Sequence, residues 1–447
     1  MPRALLPPIL LLALACALPA AASADDGLAG PPDARYRPSE VVVRYAATGA
    51  HASRVGVDGT RTRVVKVAAG KSLASAMRAL RRRPGVLSAT PNMVAHASGY
   101  IPPDPGNANA PTGWQQLQWN FLPGTGVNAP DAWQHLLAAG HPGGRGVTVA
   151  VLDTGVAYAD HKRFKRSPDF PNGRFVKGYD FVDRDAFPND ENGHGTHVAG
   201  TIAEGTGNNV GVTGLAYGVK LMPVRVLDRD GEGDSASISS GIRWAADHGA
   251  KIINLSFEFG SGVTRQQIPD ILSALRHARA KGTLVVGASG NAAAQAVAYP
   301  ARSSDVLSVG ATTQHGCQAD YSNEGQDLDV VAPGGGPDAP LEGDPSCHPN
   351  DPVGGDIYQM TFANDGSVRR FGLPSGYIGT SMAAPHAAAT AALVVASGIL
   401  GPNPSPAAIE RRLETTAHDL GAPGQDARYG WGLIDAAAAT DPAIPVR

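Results

Sequence analysis

Val147-Thr148-Val149-Ala150-Val151-Leu152-Asp153-Thr154-Gly155 is apolar almost throughout until it ends on an acid, a hydroxyl and a glycine. A strand apolar on both faces must be covered on both faces, the condition of a central strand in a parallel sheet flanked by helices. Four further runs share this character: Leu221 to Val226, Lys251 to Ser256, Thr283 to Gly287 and Val306 to Gly310. Helical patterns lie between them. Ser235 is a candidate N-cap for a helix reaching His248, and Pro269 opens a helix that Gly282 ends. The alternation predicts an α/β fold of three layers, α/β/α, with a central and mostly parallel sheet. Met382 to Leu400 is apolar apart from His386, Thr390 and Ser397, and its length approaches a membrane span. Pro385 and His386 near its start fit a helix buried in a globular core better.

Upstream, residues 39 to 98 read as a compact basic unit: strands Glu40 to Arg44 and Thr62 to Val67, a helix Ser72 to Arg82, and a strand around Val86 to Ala95. Residues 25–98 hold 12 Lys and Arg against 5 Asp and Glu, or +7, while residues 99–447 hold 24 against 35, or -11. Opposite signs on two parts of one chain suggest that they dock on each other. Residues 99–113, rich in Pro, Gly and Asn, read as a processing linker, and 114–447 as the second domain. With 17% charged residues, 55 Gly and 36 Pro, the chain is a loop-rich globular protein. No nucleic-acid partner is expected.

Residues 1–24 have a basic Arg3, an apolar run from Leu5 to Pro19 and the small-residue site Ala22-Ser23-Ala24, the pattern of a secretory signal peptide. Export predicts a secreted mature form with no membrane segment. Cys16 then departs with the signal, leaving Cys317 and Cys347 as an expected disulfide in an oxidising compartment.

Three local motifs carry chemistry: Val151-Leu152-Asp153-Thr154-Gly155 at a strand end, Asn192-Gly193-His194-Gly195-Thr196-His197 at a helix start, and Gly379-Thr380-Ser381-Met382-Ala383-Ala384-Pro385-His386 before the apolar helix. A serine hydroxyl becomes a nucleophile when an imidazole takes its proton, and a carboxylate fixes the tautomer of that imidazole. Ser381 at a helix N-terminus also sets a backbone N–H and the positive end of the dipole beside a developing oxyanion. His197 reads as a packing residue.

In these motifs, and in their Asp, His, Ser order, the chain resembles the subtilisin-like serine proteases, or subtilases, over about Trp114 to Ala438. The resemblance implies that Asp153 orients, His194 acts as base and acid, and Ser381 attacks. It also implies an oxyanion donor at Asn291, within Gly287-Ala288-Ser289-Gly290-Asn291. Ser256, Phe257 and Glu258, with Ala288, Ser289 and Gly290, are implied as walls of the pocket for the residue before the scissile bond. Here the chain departs from the family pattern Ser-Leu-Gly-Gly and reads Ser256-Phe257-Glu258-Phe259-Gly260. A carboxylate there either attracts a basic side chain or points to solvent; solvent is expected, since exposed glutamate is the common case.

Structural calcium is expected at two places, because closely spaced hard oxygen ligands suit that ion. One is Asp180, Asp183, Asp185 and Asn189, whose spacing to His194 resembles a family site. The other resembles the family's calcium loop, with Asn208, the carbonyls of Val210 and Val212, and Asp169 as a distant carboxylate. The basic unit resembles an inhibitory and folding-assisting pro-domain, so the chain is expected to be a self-processing precursor of a monomeric secreted endopeptidase acting on proteins and peptides. Two rivals are a catalytically silent binding relative and an α/β-hydrolase esterase. The intact motifs count against the first, and the Gly-x-Ser-x-Ala context of Ser381 against the second.

Overall fold

The computed structural model describes residues 36–46, 60–68, 70–93, 100–106, 112–260, 262–351, 355–363 and 366–446. The expected signal peptide at 1–24, and residues 99 and 107–111 of the expected linker, lie outside the described residues. The chain divides into two compact units, Met1–Ala97 and Ser98–Arg447.

In the first unit, β1 (Tyr36–Ala46), β2 (Thr60–Lys66), α1 (Leu73–Arg81) and β3 (Val86–Met93) form a small α+β fold, with antiparallel strands in the order β2-β1-β3. Leu73, Met77 and Leu80 recur at helical spacing, so α1 buries one face. They meet Val41, Val43 and Ala89 of the sheet in a core of their own.

The second unit runs α2 (Ala129–Ala138), β4 (Thr148–Asp153), β5 (Tyr179–Asp180), α3 (His194–Ala203), β6 (Lys220–Arg225), α4 (Ser235–Asp247), β7 (Ile252–Leu255), α5 (Pro269–Ala280), β8 (Leu284–Ala288), β9 (Leu307–Thr312) and β10 (Val330–Pro333). A short hairpin of β11 (Thr361–Phe362) and β12 (Phe371–Gly372) precedes α6 (Thr380–Ser397), α7 (Pro406–Thr416) and α8 (Ala436–Thr440). Seven strands pair in parallel in the order β10-β9-β8-β7-β4-β6-β5. The five runs expected as strands are β4, β6, β7, β8 and β9.

The alternation of β4 shows why the fold has three layers. Val149 and Val151 enter the core that holds residues of α2, α3 and α6, while Ala150 and Leu152 enter the core of α4 and α5. Helix α6 packs on β7 to β10 and is buried on nearly all sides, as its composition requires. No helix among the described residues is long and apolar enough to cross a membrane.

Three details differ from expectation or complete it. Asp234, not Ser235, caps α4, its carboxylate accepting the Ser237 N–H at 2.8 Å, because Ser235 is already the first helical residue. Tyr100 to Gly106, read as linker, is an integral part of the second unit: Trp114 Nε1 donates to the Pro102 carbonyl at 2.9 Å and Gly106 N to the Gly211 carbonyl at 2.8 Å. Lack of periodicity there marks irregular backbone, not lack of contacts. Cys317 and Cys347 are joined, as the sequence predicted.

Candidate active site

Asp153 closes β4 and His194 opens α3, so strand end and helix start face each other at the carboxyl edge of the sheet. His194 Nδ1 and Asp153 Oδ1 lie 2.8 Å apart, with the carboxylate wholly buried and the imidazole 26% exposed. Asp153 Oδ1 also accepts the Thr154 N–H at 2.7 Å, which fixes the carboxylate in place. Burial pulls the His194 pKa down, but the charge and hydrogen bond of Asp153, with the charge of Asp190, outweigh it and leave it raised. The approach of α3 to β4 is possible only at Gly195, where any side chain would collide with the Gly155 carbonyl and crowd Asp153.

A residue that sequence reasoning passed over organises this corner. Asp190 is fully buried and accepts five hydrogen bonds: Thr154 Oγ1, Asn192 N and Gly193 N on Oδ1, and Thr196 N and Oγ1 on Oδ2, at 2.6 to 2.9 Å. It thereby ties the residue after Asp153 to the turn that carries His194. The available signal was its place in Asn189-Asp190-Glu191-Asn192-Gly193, just before the helix start, where an acid complements exposed N–H groups.

Ser381 is the second residue of α6, where a helical N–H has no intrahelical acceptor. Its hydroxyl donates to the Ser256 carbonyl at 3.0 Å, and the Ser256 hydroxyl donates to the Ser381 carbonyl at 2.8 Å. Pro385 explains the second bond. In a helix the N–H of residue 385 would bond the carbonyl of residue 381, and proline has none, so that carbonyl is left for Ser256. No hydrogen bond joins Ser381 to His194 among the described residues; such contacts are often formed only with substrate bound.

Asn291 is anchored so as to leave its amide group available. Its Oδ1 accepts from Thr380 N at 2.8 Å and Thr380 Oγ1 at 3.0 Å, which orients Nδ2 as a donor that makes no hydrogen bond among the described residues. Thr380, overlooked in the sequence, thus links the expected oxyanion donor to the residue before Ser381.

Ser256 to Glu258 and Ala288 to Gly290 continue from the paired ends of β7 and β8 and lie side by side. Ser289 and Gly290 are held by Asn323, whose side chain and N–H donate to their carbonyls at 3.0 and 2.9 Å. Glu258 corrects an expectation. It is half-buried instead of facing solvent, because its Oε1 accepts the Asn291 N–H at 2.9 Å.

The acidic stretch before His194 is also corrected. Asp180, Asp183, Asp185 and Asn189 do not form a calcium site, because Arg225 Nη1 already pairs with Asp180 and Asp183 at 2.9 and 2.8 Å. Asp185 Oδ1 accepts the Phe187 N–H and Asn189 Nδ2 donates to Ala159, so the four side chains do not converge on a cation. The second candidate differs. Asp169 accepts from Asn208 Nδ2 at 2.8 Å and from Val212 N at 3.2 Å, and it has the carboxylates of Asp104 and Glu204 as neighbours. Burial and this like charge hold Asp169 and Glu204 well above the usual carboxylate range, and Glu204 Oε2 is buried without a partner. Among the described residues no three His, Cys, Asp or Glu side chains form a ready metal cage, so an ion there needs the amide and carbonyl oxygens of the loop.

His197 is a packing residue, stacked on Tyr377 and bonded through Nε2 to the Ile357 carbonyl at 2.8 Å. Burial pushes its pKa down to about 3.

Comparison with known proteins shows the family of the chain. A family model described as the subtilase family matches residues 144–432, and one described as the fervidolysin N-terminal prodomain matches residues 22–92. Subtilisin BL of Lederbergia lenta is 37% identical over 327 residues, covering 73% of this chain and 99% of its own. The thermostable alkaline protease of Halalkalibacterium halodurans is 37% identical over 297 residues, 66% of this chain and 68% of its own. Among solved structures, a protease of Pseudoalteromonas arctica superposes with a TM-score of 0.59 at 31% identity, over 76% of this chain and 99% of that one.

Proposed function

The chain belongs to the subtilase family of serine endopeptidases, and from that premise we propose that Asp153, His194 and Ser381 are its catalytic triad and Asn291 its oxyanion donor. The observation that carries the reading is the 2.8 Å contact between buried Asp153 and His194, beside a helix that opens on Ser381. Ser381 Oγ turns from the Ser256 carbonyl to His194 Nε2, gives up its proton there, and attacks the scissile carbonyl carbon. Asp153 keeps the proton of Nδ1 in place and stabilises the imidazolium. The carbonyl oxygen, now negative, receives the N–H of Ser381 and the Nδ2 of Asn291. When the C–N bond breaks, His194 delivers its proton to the leaving amine, and the acyl-enzyme is then hydrolysed by a water that His194 deprotonates.

We further propose that the product of translation is an exported precursor. The pattern of residues 1–24 supports the signal peptide, the disulfide suits an oxidising compartment, and the match of 22–92 to a prodomain supports an N-terminal inhibitor that the enzyme removes itself. Since Tyr100 to Gly106 pack into the second unit, the processed bond is proposed before Tyr100. One structural calcium ion is proposed, held by Asp169 and the carbonyls of Val210 and Val212, with the Asn208 side chain turned so that its oxygen, which here accepts the Val210 N–H at 2.8 Å, faces the ion in place of the Nδ2 now bonded to Asp169; Glu204 Oε2, buried beside them without a hydrogen-bond partner, supports it. Bound there, calcium would supply charge compensation to the loop and take no part in the reaction.

The test expresses the precursor and its Ser381→Ala form side by side, recording the mature mass and casein hydrolysis with and without phenylmethylsulfonyl fluoride. Self-processing and serine-dependent digestion by the wild type alone are expected, with loss of the nucleophile lowering turnover by about 10⁶-fold. Processing of both forms to the same mass overturns self-processing, and absence of casein hydrolysis by the wild type overturns the catalytic reading.

A further inference from the structure

Resting on the catalytic reading above, we propose that Glu258 makes this protease select lysine or arginine at the residue that supplies the scissile carbonyl. Geometry locates that residue. A carbonyl attacked by Ser381 Oγ and polarised by Asn291 Nδ2 must lie above the paired ends of β7 and β8, because Ser381 Oγ sits 3.0 Å from the Ser256 carbonyl and Asn291 continues from β8. The side chain of the same residue therefore meets the gap between Ser256 to Glu258 and Ser289 to Asn291.

Glu258 spans this gap. Phe257 and Phe259 pack against the core of α4 and α5, and the Phe259 N–H donates to the Tyr299 carbonyl at 2.7 Å, which fixes the course of the segment. Between them Glu258 reaches across to the opposite wall. Its Oε1 takes the Asn291 N–H at 2.9 Å, and its Oε2 lies so close to Gly290 that any side chain at that position would collide with it. Gly290 has a φ of +109°, a conformation that already favours glycine. The two walls are thus bridged by a carboxylate.

That carboxylate has one N–H donor and forms no ion pair among the described residues. A substrate lying over the gap removes water from it, and an anion losing water without a counter-charge is costly. An acidic side chain adds repulsion. A large apolar one must displace the carboxylate from Asn291 and leave it dry. A lysine or arginine runs its apolar stem along the gap and brings the missing charge to Oε2.

The decisive experiment compares kcat/KM on peptide p-nitroanilides that differ only in the last residue, Arg, Lys, Leu, Phe, Ala or Glu, for wild type, Glu258→Gln and Glu258→Gly. Glutamine retains an oxygen for the Asn291 N–H and lacks the charge, so it separates charge recognition from anchoring of the donor. Each preference is a ratio within one enzyme, which cancels any loss of folded protein. The wild type is expected to favour Arg over Leu by about tenfold or more, within the range one pocket contact supplies. Glu258→Gln is expected to bring the ratio close to one, and Glu258→Gly to invert it towards Leu and Phe. An Arg/Leu ratio at or below one in the wild type, or one that survives Glu258→Gln, overturns the proposal while leaving proteolysis intact. A wild type that cleaves none of the peptides and takes no fluorophosphonate label overturns the catalytic reading and this proposal together.

Discussion

Helix α3 holds a buried carboxylate near each end, and the two are treated in opposite ways. At the amino end Asp190 receives five N–H and O–H donors, in the positive field of the helix terminus. At the carboxyl end Glu204 is the C-cap, in the negative field, with one oxygen bonded to the Met360 N–H at 2.7 Å and the other without a partner. Its neighbours Asp169 and Asp104 add like charge. At the amino end the protein's own donors oppose the upward push of burial on Asp190 and join it to the turn that carries His194. The carboxyl end holds its carboxylates against burial and like charge, a cost that a proton or a bound cation relieves.

Substitution at the amino end should act on chemistry. Asp153→Asn is expected to lower kcat/KM by about 10⁴-fold, the effect of losing the correct imidazole tautomer. It should also move the acid limb of the pH profile. Burial alone lowers the His194 pKa and Asp153 more than restores it, so removing that charge lets the imidazole stay neutral, and the residual activity persist, to lower pH. A profile whose acid limb stays in place, or a loss below tenfold, would break the link between this end and catalysis. Asp190→Asn comes next in size. One amide cannot accept all five donors and turns an N–H towards some of them, so the turn carrying His194 shifts; a loss of about 10²-fold, mostly in kcat, is expected. Rates within threefold of wild type would mean that Asp190 serves folding alone.

Much of this was legible in the sequence because it is local. Runs apolar on both faces marked β4 and β6 to β9, and short motifs marked Asp153, His194 and Ser381 as one candidate site, since the strand end or helix start and its neighbours are contiguous in the chain. What was missed depends on residues far apart. Thr380 matters through Asn291, 89 positions away. Arg225 neutralises Asp180 from 45 positions away, which turned an acidic run that looked like a cation site into an ion pair. Glu258 was expected in solvent because composition says only that glutamates are usually exposed; the N–H it bonds belongs to a neighbouring strand's continuation. Edge strands β5 and β10, of two and four residues, were too short to show a period.

The carboxyl end of α3 should act on stability, and the sign of the effect reverses with calcium. Without the ion, Asp169 adds to the repulsion on Glu204 and Asp104, so Asp169→Asn should unfold at a higher temperature than wild type in EDTA. With calcium the order should invert, because the variant lacks the carboxylate that holds the ion. At free calcium 100 times its dissociation constant, binding adds about 2.7 kcal/mol to the folded state, a rise in melting temperature on the order of 5 °C. Crossing of the two proteins between the two buffers is therefore the signature, read by differential scanning fluorimetry on Ser381→Ala protein so that self-digestion does not intrude. If wild-type residue 169 in that background melts at one temperature in both buffers, the carboxyl end tolerates its charge without an ion. The contrast between the two ends of α3 would then rest on protonation of Glu204 and Asp169, not on a metal.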